Sequence, residues 1–185
     1  MSVLRHATDE FLLASSNSPA SEAAWFAIYT RPRFEKKVAS QLAEKGVKAF
    51  LPLFSSKRQW SDRKRLVQSP LFPGYVFVRM VSTLESRISV LRTSGVGNFV
   101  GFRGTGTPIP DDEIHAVQAV LQHGVPIEIH PFFSAGRRVR IRGGSLDGIK
   151  GVLCDRQGDQ SLVISVELIQ KSIAMPATGL EMEIV

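Results

Sequence analysis

The feature that most restricts the fold is a loss of helical period partway along the chain. Up to Leu121, apolar residues recur at helical spacing in three places, set between runs that read as strands; from Phe132 onward no stretch keeps a helical period. Between these regimes lies QHGVPIEIHPFFS, Gln122 to Ser134, whose two prolines and glycine mark a linker. The expected organisation is a disordered tail over residues 1–24, a first domain over 25–121, a linker over 122–134 and a second domain over 135–185.

The first domain reads as an ordered series. WFAIYT, from Trp25, is an aromatic and β-branched strand candidate. Thr30 and Pro32 mark a helix start, and Phe34, Val38 and Leu42 recur at fourfold spacing until Gly46. Lys48–Phe54 is a second strand, and Pro73 and Gly74 introduce a third, Tyr75–Met80. Ser82 with Glu85 reads as a capping box for a helix with Leu84, Ile88 and Leu91 on one face. Val96–Phe102 is a fourth strand. Pro110, followed by Asp111, Asp112 and Glu113, starts a third helix bearing Ile114, Val117 and Leu121, with acids placed to suit its dipole. The order βαββαβα, with a direct link between its second and third strands, predicts an α+β fold: an α/β sandwich with an antiparallel sheet, not a doubly wound one.

In the second domain Arg137–Arg142 alternates, Val139 and Ile141 on one face and Arg138, Arg140 and Arg142 on the other. Turn signals follow at Gly143-Gly144, Asp147-Gly148 and Gly158-Asp159, and Leu162–Leu168, Ser172–Met175 and Leu180–Val185 supply further strands. Five short strands in about 54 residues cannot bury a face as an open sheet, so a small barrel is expected.

Composition narrows the function. A net charge of +6 favours a polyanionic partner, nucleic acid or a ribonucleoprotein machine. The apolar runs are strand-sized, so no membrane is expected, and the N-terminus lacks the long apolar core of a signal peptide. The single Cys154 excludes an internal disulfide and reads as a core thiol in a reducing compartment. His6, His115, His123 and His130 have no metal-ligand spacing, no nucleophile–base pairing is legible, and there is no phosphate-binding glycine loop. Asp111, Asp112 and Glu113 read as a helix start. No enzyme, cofactor or metal is expected.

Two motifs stand in order along the chain. GRRVRIRGGSLDGIKGVL spaces glycines at 136, 144, 148 and 151 among apolar residues and resembles the KOW motif of SH3-like barrels. WFAIYTRPRFEKKVASQLAEKG, LFPGYVFV and SGVGNFVGF before TPIPDDEI resemble the N-terminal domain of the NusG family of transcription termination and antitermination factors. The resemblance covers roughly residues 25–176. PLFPGYVFV, GVGNFVGF and ISVELIQKSIAM are closer to the specialised RfaH-like antiterminators of polysaccharide operons.

What the resemblance implies is a monomeric cytoplasmic transcription elongation factor that suppresses pausing and termination. An apolar cavity would grip the clamp helices of RNA polymerase through Phe72, Pro73, Tyr75 and Phe77. These rings also read as plain core, and Tyr75 and Phe77, on one strand face, should share one fate. Lys57, Arg58, Arg63, Lys64 and Arg65, with Trp60 among them, read either as a solvated hairpin tip or as a phosphate-contacting surface for upstream DNA. Arg31, Arg33 and Lys37 match a surface that specialised relatives use on the non-template strand, or form a wet helix face. The His-Thr-Thr-Thr run that RfaH-like proteins present to the polymerase gate loop is replaced by Ser86-Arg87-Ile88-Ser89. The KOW barrel would recruit the termination factor Rho or a small-subunit ribosomal protein through exposed Leu168 and Ile169, as a β-barrel on a loose tether that leaves the cavity uncovered. The alternative is a ribosomal or RNA-binding KOW protein acting on rRNA, against which the long N-terminal domain argues.

Overall fold

The computed structural model describes residues 22–60, 63–132, 135–156 and 159–185, and of residues 56–60, 63–66, 131 and 156 the main chain alone. The expected tail lies almost wholly outside the described residues.

The first sheet is antiparallel, in the order β2 (Lys48–Phe50), β5 (Tyr75–Met80), β1 (Ala24–Thr30), β6 (Val96–Phe99), with β7 (Pro108–Ile109) also on β1. Its two faces are both covered, which explains why β1 is apolar almost throughout instead of alternating. Phe26 and Ile28 of β1, with Val76 and Val78 of β5, pack on Val38 and Leu42 of α1 (Glu35–Glu44) and Val90 of α2 (Leu84–Leu91). Trp25, Ala27 and Phe77 point the other way, into a cluster with Ile114, Val117 and Val120 of α3 (Asp111–Gln122). The α+β sandwich is as expected.

Three local details differ from the sequence reading. The basic stretch is the strands of a hairpin and not its tip alone: β3 (Leu53–Trp60) and β4 (Arg63–Pro70) form a separate two-stranded antiparallel ribbon inserted between β2 and β5. Like charges crowd that ribbon, but cross-strand hydrogen bonding needs only the main chain. The box that starts α2 sits one residue later than Ser82. Thr83 Oγ1 accepts from Ser86 N–H at 3.1 Å, and Ser86 Oγ accepts from Thr83 N–H at 3.1 Å. The apolar stripe of α2 faces outward, with Leu84 76% exposed, because Val90 on the opposite face meets the sheet.

The second sheet is a barrel of the expected kind, in the order β13 (Glu181–Ile184), β9 (Arg137–Arg142), β10 (Lys150–Arg156), β11 (Asp159–Val166), β12 (Lys171–Pro176), β8 (Glu128–Pro131). Val139 and Ile141 turn inward, as their alternation predicts. Gly151 is required by close approach: a Cβ there would lie 2.7 Å from the Val163 carbonyl oxygen on the paired strand. The sixth strand, β8, comes from the linker region.

The barrel is not loosely held. Lys150 Nζ lies 3.3 Å from Asp112 Oδ2, and the Glu167 N–H donates to Glu113 Oε2 at 3.1 Å, both acids belonging to the first turn of α3. A cleft between the domains is lined by Glu113, Ala116, Ala119, Gly148, Ile149 and Ile164.

Candidate polymerase and nucleic-acid interface

The turn Phe72–Tyr75 builds the site. Gly74 has φ +85°, a conformation that only glycine adopts freely, and a Cβ there would press to 3.2 Å from Tyr29 Cε2. Its N–H donates to Glu35 Oε1 at 2.8 Å, and its carbonyl accepts from Thr30 N–H at 2.8 Å. Glu35 is a buried carboxylate, 5% exposed, so the first turn of α1 spends a charged side chain on fixing this one turn. A buried acceptor of this kind is costly to lose, since the freed N–H finds no water. Nothing in the sequence separates Glu35 from an ordinary helix-surface acid.

The aromatic set divides. Phe77 is fully buried, stacked on Phe50 at 6.1 Å between ring centres, and Phe72 meets Phe77 edge-on at 6.2 Å. Both belong to the core and present no free face. Tyr75 does not share Phe77's fate: it sits opposite Tyr29 in the β1–β5 register, half-buried, its ring edge-on to Tyr29 at 5.7 Å. Tyr29 is 49% exposed and Pro73 is exposed. The surface the turn offers is therefore Tyr29, Pro73 and Tyr75, with Phe72 and Phe77 as its floor. Tyr29 went unmarked in the sequence because it lies within a strand that otherwise reads as core.

Beside this edge, Arg31 and Arg33 are exposed, and Arg33 takes a left-handed φ of +66° in the bend leading into α1. Lys37 is exposed on α1, its ammonium 5.6 Å from the centre of the Phe34 ring. Lys36 Nζ donates to the Gln68 carbonyl at 2.8 Å, tying α1 to β4. Within the ribbon, Arg58 pairs with Arg65 and Trp60 with Arg63. The side chains of Lys57, Arg58, Arg63, Lys64 and Arg65 lie outside the described residues.

On the barrel, Ile169 is 5% exposed and Leu168 half-buried against the core, which corrects the expectation that both are open to solvent. The short 3-10 turn Glu167–Ile169 folds them back, ending in Gln170 at φ +52°. Glu113 titrates above its ordinary range, first because burial disfavours its charge; the Glu167 N–H opposes this, and the charges of Glu167 and Asp112 add to it. Among the described residues no cluster of His, Cys, Asp and Glu has the makings of a metal site, and no helix is long and apolar enough to cross a membrane.

Residues 23–118 match the family described as transcription termination factor nusG. The chain is 28% identical over 172 residues to the transcription termination/antitermination protein NusG of Lactococcus lactis subsp. lactis, covering 86% of this chain and 92% of that one. It is 28% identical over 153 residues to the NusG of Halalkalibacterium halodurans, covering 75% and 85%. Among solved structures, the one titled "Domain interaction in Thermotoga maritima NusG" superposes with a TM-score of 0.50 at 22% identity, over 88% of this chain and 98% of that one, a likeness of fold.

Proposed function

The chain belongs to the NusG family of transcription factors, and from that premise we propose that it is an elongation factor that binds the clamp helices of RNA polymerase and suppresses pausing and termination. The observation that carries this reading is the exposed Tyr29 and the half-buried Tyr75 paired beside Pro73, next to a turn held by a buried carboxylate. Aromatic rings on a rigid turn bring large contact area at small entropy cost, as binding anchors require. The activity proposed for this surface is one of holding a partner and not of bond-breaking.

Arg31, Arg33 and Lys37 flank this edge on the side of α1 and supply positive charge for the non-template strand. The β3–β4 ribbon, with five cations from Lys57 to Arg65 against Asp62, reaches upstream DNA phosphates. The barrel recruits a protein, Rho or a small-subunit ribosomal protein, and the chain acts in the cytoplasm where polymerase works. The gate-loop contact differs from the specialised relatives, since Ser86–Ser89 and the exposed Leu84 and Ile88 give α2 a more apolar outer face.

The test is transcription in vitro with purified polymerase on a template carrying a strong pause. Added protein shortens the pause, and the double variant Tyr29→Ala, Tyr75→Ala loses the effect while remaining folded by circular dichroism. Unchanged pause lifetimes at saturating wild-type protein would overturn the proposal.

A further inference from the structure

β8 is an unusual barrel strand. It is supplied by the connector between the domains, and it buries none of its described side chains: Glu128 and Ile129 are exposed, Ile129 by 52%, and His130 is half-buried. Its partner β12 buries four residues in a row, Ser172 to Met175, and is paired along its whole length with β11 on the other side. The β8–β12 register is short, running from Glu128 opposite Ala174, through Ile129 opposite Ile173, to Pro131 opposite Lys171. Pro131 has no N–H to donate. β8 thus rests on a main-chain pairing only four residues long, with none of its described side chains fully buried, which places it at the low-stability end of the molecule.

We propose that β8 is an exchangeable edge strand: it occupies the β12 edge in the free protein and yields it to an extended segment of a protein partner. Docking of the partner and release of the interdomain connector are then one event. This rests on the reading of the barrel as the recruiting domain. With β8 gone, β12 presents a row of unpaired main-chain groups, the template that strand addition uses. A partner strand gains where β8 stops. The β8 pairing ends at Ala174, whereas β12 continues to Pro176. At that end a cleft lined by Pro126, Ile127, Gln160, Met175 and Pro176 leaves room for a longer strand. The best-fitting segment carries an apolar residue in the place of Ile129, opposite the buried Ile173. Freeing the four residues of β8 adds slack of about 13 Å to the connector.

Hydrogen exchange on the intact protein tests this. The β8 amides should exchange about 100-fold or more faster than those of the β10–β11 ladder. A second measurement uses Ile129→Pro, which removes β8 from the edge; β9–β11 protection serves as its control for folding. A synthetic peptide copying residues 126–131, PIEIHP, should then protect the amides of Lys171–Met175 in this variant. It should fail to do so when β8 is locked by an oxidised Glu128→Cys, Ala174→Cys pair in a Cys154→Ser background. Exchange of β8 as slow as the β10–β11 ladder would overturn the proposal, and so would a peptide that leaves Ile129→Pro unprotected or protects the locked chain equally. Neither readout contains polymerase or a recruited protein, so failure here and failure of the pausing assay are separate results.

Discussion

Residues one or two positions apart in this chain have opposite work to do. Tyr75→Ala removes an edge ring, and we expect polymerase binding to weaken by about 1–3 kcal/mol with little change in melting temperature. Phe77→Ala, two residues on, empties a fully buried site and should cost about 3–5 kcal/mol of stability. Parallel binding and thermal-unfolding measurements separate the two, and equal stability losses would place Tyr75 in the core as well. Glu35→Ala should act differently again. It leaves the Gly74 N–H without its acceptor, so a loss of about 1–3 kcal/mol in stability should come with weaker polymerase binding, although Glu35 itself reaches no surface. Chemical denaturation of the variant beside its binding isotherm checks both halves of that expectation.

At the scale of elements, the β3–β4 ribbon is the part whose form the sequence hid and whose chemistry it advertised. Charge reversal of Arg63, Lys64 and Arg65 to Glu should lower DNA affinity and flatten its dependence on salt, because fewer counterions leave the DNA on binding. Titrations of a DNA duplex at several salt concentrations provide the check, and an unchanged slope would assign the ribbon to solvent. Helix α2 is the complementary case. Its apolar stripe is regular, as a core-facing helix requires, yet Leu84, Ile88 and Leu91 are the exposed ones. Periodicity identifies a helix and its faces, while only the neighbouring sheet decides which face is covered.

For the whole molecule, the junction between α3 and the barrel carries a titratable group. Burial holds the Glu113 carboxyl above its ordinary pKa, so the docked form binds protons more readily than the undocked or unfolded chain. The sign follows: the contribution of this group to stability is fully present below its ordinary pKa and is lost as pH rises through the raised value. Glu113→Gln keeps an oxygen to accept the Glu167 N–H and carries no charge to bury. The variant should therefore melt higher than the wild type at neutral pH, with the gap closing as pH falls through the carboxylate range. Melting curves at a series of pH values test this, and a gap independent of pH would remove Glu113 from the junction's energetics.

The sequence by itself determined what local pattern determines. Arg137–Arg142 alternates with a period of two and becomes a strand with Val139 and Ile141 inside; Phe34, Val38 and Leu42 repeat by four and stand on or beside α1; the strand at Tyr75–Met80 falls where the Pro73-Gly74 turn places it. The order of these elements sufficed for an α+β sandwich followed by a barrel, because short connections leave few topologies. Tertiary structure alone decided which aromatic rings are available. Tyr75 and Phe77 share one face of one strand, but only Phe77 lies under Phe50 and Phe72, while Tyr75 and Tyr29 reach the rim. It also turned part of a proline-bearing connector into a barrel strand and folded Ile169 inward. Each of these outcomes depends on what covers a residue from a distant part of the chain. Burial is a property of the assembled neighbours, and no window of the sequence contains them.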